Sequence, residues 1–291
     1  MSAVGALARG VRLAWRLEQG VGQGIAALGA GLARGMRPAE QQALTLALYA
    51  FAAEKGSESG GLPRLSAAKT ARSKAVAGAA LRPLFPWEIE WFDALLPPPP
   101  ARILVAGAGA GAEVVALRAR GYAVAATEPV ERLARQCAEV GARPVWPLDH
   151  EALGTLAGER FDAVLLGWGS LTHVLTPAGR QRTLEAAAAL TSGPILASFW
   201  TQASAGPPPS GRLVAWAERA GTAVANVRGH PPPSGLRFFA WCGFGCTLER
   251  PELECLAQAL GRRLVWWDAP YPHAAWLDPD SPPLLPAAPC G

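Results

Sequence analysis

The chain has 291 residues, half of them hydrophobic and 17% charged, which fits one large globular core, with or without an appendage, and excludes a disordered chain. Its formal net charge is +4, but acidic residues nearly balance basic ones. No run of five or six like charges and no basic stripe interleaved with aromatics occurs, so nucleic acid is disfavoured as a partner and a small molecule is favoured.

Five cysteines, Cys137, Cys242, Cys246, Cys255 and Cys290, form no CxxC pair and have no histidines at zinc-ligand spacing. They read as buried free thiols in a reducing compartment, with no metal site. The N-terminal stretch is rich in Ala and Gly, but Arg9, Arg12, Arg16 and Glu18 interrupt it, and the uncharged run that follows is glycine-rich. Spanning a bilayer takes about 20 predominantly apolar residues. Neither a signal peptide nor a membrane span is expected, and the cytoplasm is the expected location.

Residues 1–96 read as a helical cap. Residues 11–17 have helical periodicity, and Pro38 opens a second helix through Leu44, Leu48 and Phe51, proline being tolerated at the first helical position. A Gly/Ser-rich break at 56–61 precedes another helical stretch at about 66–80. An aromatic-rich helix start around Trp87, Glu88, Glu90 and Trp91 then leads to the proline run 97–100, a stiff spacer that marks a boundary. Residues 97–280 read as an α/β domain. Strands are expected at 102–106, 123–127, 144–147, 161–167 and 194–199, with helices at about 112–120, 130–140 and 177–190. This alternation predicts a Rossmann-like, mostly parallel sheet with helices on both faces.

Residues 203–236 change character. They are rich in Pro and Gly and carry Pro-Pro-Pro-Ser-Gly twice, at 207–211 and 231–235, with a short amphipathic helix expected at 213–220 between them. This is one insertion with matched hinges, a candidate lid. A segment at 238–242, a helix at about 250–260 and two strands near 264–267 and 273–277 follow. The turn region Asp268-Ala269-Pro270 joins those strands as a terminal antiparallel hairpin, for about seven strands in all. Residues 281–291 read as a tail.

The chemistry is expected at the first strand's end, where 103–106 run into Gly107-Ala108-Gly109-Ala110-Gly111. Glycines suit a turn whose backbone closely approaches a ligand or needs positive φ, and the following helix N-terminus offers unpaired N–H groups. Glu128, next to Pro129, ends the second strand twenty-one residues beyond Gly107, where an acid bonds ribose hydroxyls. The stretch also satisfies the dinucleotide pattern, with Ala112 at its last position. Turn and acid therefore indicate a nucleoside-containing cofactor without choosing between a nicotinamide and S-adenosylmethionine.

The remaining features resemble class I S-adenosylmethionine-dependent methyltransferases of the small-molecule type, over about residues 84–278. Asp149, with His150, follows the third strand, where that family places an acid near adenine. The run Gly167-Trp168-Gly169-Ser170-Leu171-Thr172-His173 is similar to the family's loop after strand four, and the late insertion, helix and terminal hairpin match in order. The resemblance implies S-adenosylmethionine as cofactor, held by Gly107, Ala108, Gly109, Gly111, Glu128, Pro129, Asp149, His150, Gly167, Trp168 and Gly169, and in-line methyl transfer to a small-molecule acceptor. One departure is Val105, which stands where the family carries an acid two residues before the first glycine; Glu113 is a candidate substitute or a partner of the helix dipole.

His173 and Glu88 are the candidate catalytic residues, His173 as a general base because its unperturbed pKa lies near neutrality or, alternatively, as a bond to the loop backbone. Trp87, Trp91, Trp168 and Trp200 flank the expected cofactor edge; with Ser170 they are candidate contacts for a cationic or aromatic substrate. Trp266 and Trp267 read as core, Asp162 as a turn residue, and His230 and His273 as structural. Other readings carried alongside are a cyclase or lyase using the same cofactor, a non-catalytic cofactor-binding protein, and a nicotinamide oxidoreductase. Oligomeric state is open.

Overall fold

A computed structural model describes residues 19–58, 83–205, 211–239 and 243–281. The periodic stretch 11–17, the helix expected at 66–80, residues 207–210 of the first proline hinge, Cys242, Cys290 and residues 282–291 lie outside the described residues.

The five strands β1 (Arg102–Ala106), β2 (Ala123–Thr127), β3 (Val145–Trp146), β4 (Ala163–Leu166) and β5 (Ile195–Ser198) pair in parallel. With β8 (Arg263–Trp267) and β9 (His273–Leu277) they form a seven-stranded sheet in the order β3-β2-β1-β4-β5-β9-β8. β9 runs antiparallel to both β5 and β8. β1, β4 and β5 are almost uninterrupted apolar runs because a parallel sheet is covered on both faces.

Side-chain alternation splits the core between those faces. Leu104, Val164, Leu166, Ile195 and Trp276 pack toward α6 (Pro177–Leu190) and α8 (Arg250–Ala259). Ile103, Val105, Leu165 and Leu196 pack toward α3 (Pro86–Leu95), α4 (Ala112–Ala119) and α5 (Glu131–Glu139). Local signals fix several of these boundaries. The Thr176 hydroxyl accepts from Gly179 N at 3.0 Å and Pro177 sits at the first position, so α6 starts where its cap allows. The Asp162 carboxylate accepts from Arg102 N at 2.6 Å, tying the starts of β1 and β4 together.

Outside the sheet, α1 (Gln19–Ala33) crosses α7 (Arg212–Val227) at a glycine contact. A Cβ on Gly221 would lie 1.9 Å from Gly31 O, so only glycine permits this approach. Arg34 spans the contact, reaching Glu218 at 3.0 Å and Leu236 O at 2.8 Å. A separate two-stranded ribbon, β6 (Leu236–Phe239) and β7 (Gly243–Cys246), packs against α2 (Pro38–Glu58).

Two expectations change. The helix of the insertion is 16 residues long rather than the short segment at 213–220, because Ala217, Gly221 and Ala225 form a continuous small-residue face against α1. Cys255 is exposed, whereas Cys137 and Cys246 are buried with thiols pushed up by desolvation to about 12 and about 11.

Candidate functional site

The carboxyl ends of β1, β2 and β4 converge on the glycine turn, and its three glycines do different work. All have positive φ: +67° at Gly107, +56° at Gly109 and +94° at Gly111. A Cβ on Gly107 would lie 2.4 Å from His150 Cε1, and one on Gly111 2.6 Å from Val140 Cγ2, so both are required by packing. A Cβ on Gly109 would meet nothing within 4 Å. The turn is therefore open on that one face. Gly167, after β4, backs the turn so closely that a Cβ would lie 2.6 Å from Gly107 O.

Glu128 is buried and accepts from Gly109 N at 2.8 Å and Val130 N at 2.9 Å. Desolvation pushes its carboxyl up to about 7, against the lowering effect of those two bonds. Each oxygen keeps a second lone pair that a hydroxyl can use. Pro129 separates the acid from Val130. Asp149 caps the 3-10 helix His150–Leu156 by accepting from Ala152 N at 3.0 Å. His150 Nε2 lies 2.7 Å from Ser170 Oγ. Burial, with a smaller effect of nearby His173, lowers the His150 pKa to about 4, so the ring is neutral at physiological pH.

Ala108 N donates to Thr127 O at 3.0 Å, which folds the turn back onto the end of β2. The start of the loop after β4 is fastened by two adjacent N–H groups: Trp168 N donates to Glu113 Oε1 at 3.2 Å, and Gly169 N to Ser198 Oγ at 2.9 Å. Glu113 thus ties α4 to this loop. Val105 is fully buried within the sheet core.

His173 ends the 3-10 helix Ser170–His173. Its Nδ1 lies 2.9 Å from Phe244 O; a carbonyl only accepts, so Nδ1 carries the proton and Nε2 the lone pair. Burial lowers its pKa, so this neutral form prevails at pH 7. Tyr49 and Trp200 stand edge-on to the imidazole, at 5.8 Å and 82° and at 5.4 Å and 78°.

The four tryptophans separate. Trp200 belongs to the His173 side, whereas Trp87, Trp91 and Trp168 join Phe85 and Tyr271 in an aromatic wall. Trp87 stacks on Tyr271 at 5.6 Å, Tyr271 on Trp168 at 5.4 Å, and Phe85 lies 6.2 Å from Trp168. His273 is enclosed by Trp87, Trp91 and Trp267 at 4.7, 4.8 and 4.9 Å. Trp267 thus contributes to this wall, while Trp266 packs on Phe199 at 4.9 Å. Glu88 is buried and Glu90 exposed. The Glu88 carboxylate accepts from Phe85 N at 2.8 Å, so it closes the first turn of α3.

Thr45, Tyr49, Phe244 and Tyr271 had no sequence signal. The first two are in a helix remote in sequence, Phe244 acts through its carbonyl, and Tyr271 is brought in by the β8–β9 hairpin. His230 closes α7 through its backbone N–H, 3.0 Å from Ala225 O. Among the described residues there is no group of three or more His, Cys, Asp or Glu side chains placed to hold a metal ion, and no helix is long and apolar enough to cross a membrane. Concavities of about 460 Å³, bordered by Arg160 and Arg262, and about 470 Å³, bordered by Arg34 and Arg219, lie away from the glycine turn.

No protein-family model matches the chain, and no curated protein matches it. Solved structures similar to it include the sugar N-methyltransferase KedS8 from Streptoalloteichus sp ATCC 53650, at 13% identity and a TM-score of 0.48, covering 73% of this chain and 99% of that one. DesVI from Streptomyces venezuelae is 13% identical with a TM-score of 0.48, covering 65% and 89%. S-adenosylmethionine-bound CalS10 from Micromonospora echinaspora, an amino pentose methyltransferase, is 15% identical with a TM-score of 0.44, covering 61% and 83%.

Proposed function

We propose that the chain is an S-adenosylmethionine-dependent methyltransferase acting on a small molecule. The observation that carries this reading is the sheet order: antiparallel β9 is inserted between β5 and β8 in the same sheet whose β1 and β2 lead into the glycine turn and Glu128. The dinucleotide-binding fold places a parallel strand at that position, and the terminal antiparallel hairpin is the arrangement of the methyltransferase family the sequence resembles.

The open face at Gly109 leaves room for the cofactor backbone, so the residues present fit it. The turn from Gly107 to Gly111 would face the methionine part, Glu128 the ribose hydroxyls through its remaining lone pairs, and Asp149 the adenine. His150, Gly167, Trp168 and Gly169 would close the sides. The cofactor supplies an electrophilic methyl group already activated as a sulfonium, so the protein has to align the acceptor, exclude water and remove a proton. His173 Nε2 takes the acceptor's O–H or N–H proton, since its lone pair is left exposed by the Nδ1–H bond to Phe244 O. Tyr49 and Trp200 flank this base, and Trp87, Trp168 and Tyr271 offer ring faces suited to a flat or cationic acceptor. In this reading α1, α2 and α7 would serve as the cap over it.

S-adenosylhomocysteine at a hundred times its Kd is expected to stabilise the protein by about 2.7 kcal/mol. Stabilisation by NADH and not by S-adenosylhomocysteine, followed by differential scanning fluorimetry, rejects this function. Val105 favours one second reading. With no acid there, and with Glu113 committed to Trp168 N, the methionine tail would bind differently, as suits cyclisation or cleavage of the cofactor. Substrate-free turnover detected by mass spectrometry distinguishes that chemistry.

A further inference from the structure

The acceptor side of the site depends on a helix that has no motif. Thr45, in α2, is buried and its hydroxyl is engaged twice: Oγ1 donates to Gln41 O at 2.9 Å and accepts from Phe244 N at 2.9 Å. The carbonyl of the same Phe244 receives the Nδ1 proton of His173 at 2.9 Å. Three consecutive bonds thus run from the backbone of α2 through one residue of β7 to the imidazole. The first two share the Thr45 hydroxyl and strengthen each other; the third is coupled to them by position, because the N–H and C=O of Phe244 lie on either side of one Cα.

β7 needs this anchor. Among the described residues it pairs only with β6, and a two-stranded ribbon is marginal without something to pack on. Gly243, the residue before Phe244, has φ +80° and sits so close that a Cβ would lie 2.6 Å from Thr45 Cα. The Phe244 carbonyl is therefore placed by α2 as much as by strand pairing. Tyr49, one helical turn beyond Thr45 on the same face, brings its ring to the imidazole edge.

We propose that Thr45 is a positioning residue: by holding the backbone of Phe244 in place, it fixes His173 in the Nδ1–H tautomer and aims the Nε2 lone pair at the acceptor. This deepens the reading of His173 as the base and makes α2 part of the acceptor site. Which nitrogen of an imidazole carries the proton is set by the bond the other one makes, so moving this carbonyl releases the tautomer.

The test needs neither cofactor nor acceptor. The chain has four histidines, so 15N-histidine NMR resolves each ring, and loss of one signal set in His173→Gln assigns His173. In the wild-type protein Nδ1 should be protonated and Nε2 not. Thr45→Val keeps the shape and removes the hydroxyl; its His173 signals should move toward the Nε2–H form, and Thr45→Ser should restore them. Leu48→Val, a buried truncation one turn away on the same helix, should lower the unfolding temperature and leave the tautomer unchanged.

Wild-type Nε2 protonation overturns the proposal outright, even if Thr45→Val does not fold. So does a folded Thr45→Val with the wild-type tautomer, or an equal shift in Leu48→Val. The function above fails separately: if the tautomer series behaves as expected but His173→Gln retains full turnover instead of losing about 100-fold, the hydrogen-bond chain stands and the base assignment falls.

Discussion

Glu128 and His150 bear on stability in opposite directions, and replacing Glu128 with Gln exposes the balance. Desolvation holds the folded Glu128 carboxyl at about 7 against its ordinary 4.5. At about 1.36 kcal/mol per pH unit this costs the folded state about 3 kcal/mol once the pH is above both values. The folded protein binds the proton that the unfolded chain has released, so this stability is lost as pH rises from 4.5 through 7. His150 is the reverse case, lowered by burial from 6.5 to about 4. There the unfolded chain takes up the proton first, and about 3 kcal/mol is lost as pH falls from 6.5 to 4. Between about 4.5 and 6.5 the two slopes cancel, and the wild-type protein should be nearly flat with respect to these groups. Glu128→Gln leaves only the His150 slope. One of the two N–H groups, Gly109 or Val130, also loses its acceptor to the amide NH2, a pH-independent cost of about 1–3 kcal/mol. Urea midpoints taken from pH 4.5 to 8 separate the effects: the wild-type advantage should shrink by about 3 kcal/mol across that range. Parallel stability curves would refute the burial argument.

Gly167→Ala forces a Cβ within 2.6 Å of Gly107 O; it should cost about 2 kcal/mol or more and abolish the S-adenosylhomocysteine thermal shift. Gly109→Ala is strained only by its positive φ, at about 1–2 kcal/mol, so it should fold but bind the nucleoside weakly in calorimetry, because the methyl enters the open face. Thr176→Ala removes the α6 cap and should lower stability by about 1 kcal/mol, roughly 2–4 °C in Tm, with ligand affinity unchanged.

The sheet was readable because each strand–helix boundary carries its own local cause. The Thr176-Pro177 cap, the glycine turn and the short buried runs of β1, β4 and β5 are set by residues within a few positions of one another. The helix of the insertion was underestimated because its buried face is Ala217, Gly221 and Ala225. Small residues are weak signals of burial; they become a helix face only when Gly31 of α1 supplies the opposing surface. The ribbon at β6 and β7 and the contribution of α2 were silent for the same reason: Thr45 and Gly243 acquire a role only from contact across nearly 200 residues, with Thr45 and Phe244 separated by 199 positions.

The glycine motif shows how little its letters say by themselves. Of its three glycines, two are required by side chains behind the turn, and only Gly109 faces open space. The loop is held in that pose by Glu128 through Gly109 N and by Thr127 O through Ala108 N, while Glu113 fastens the neighbouring loop through Trp168 N. In the family the sequence resembles, an acid two residues before the first glycine contacts this loop. Here that position is Val105, sealed between β2 and β4 in the core, where a carboxylate would be desolvated and costly. Glu128 and Glu113 secure the two loops from outside the strand, which lets an apolar residue occupy β1 without loosening the turn. A Val105→Asp variant should therefore lose stability without gaining affinity for S-adenosylhomocysteine; a gain in affinity would mean that the turn still depends on the acid this chain lacks.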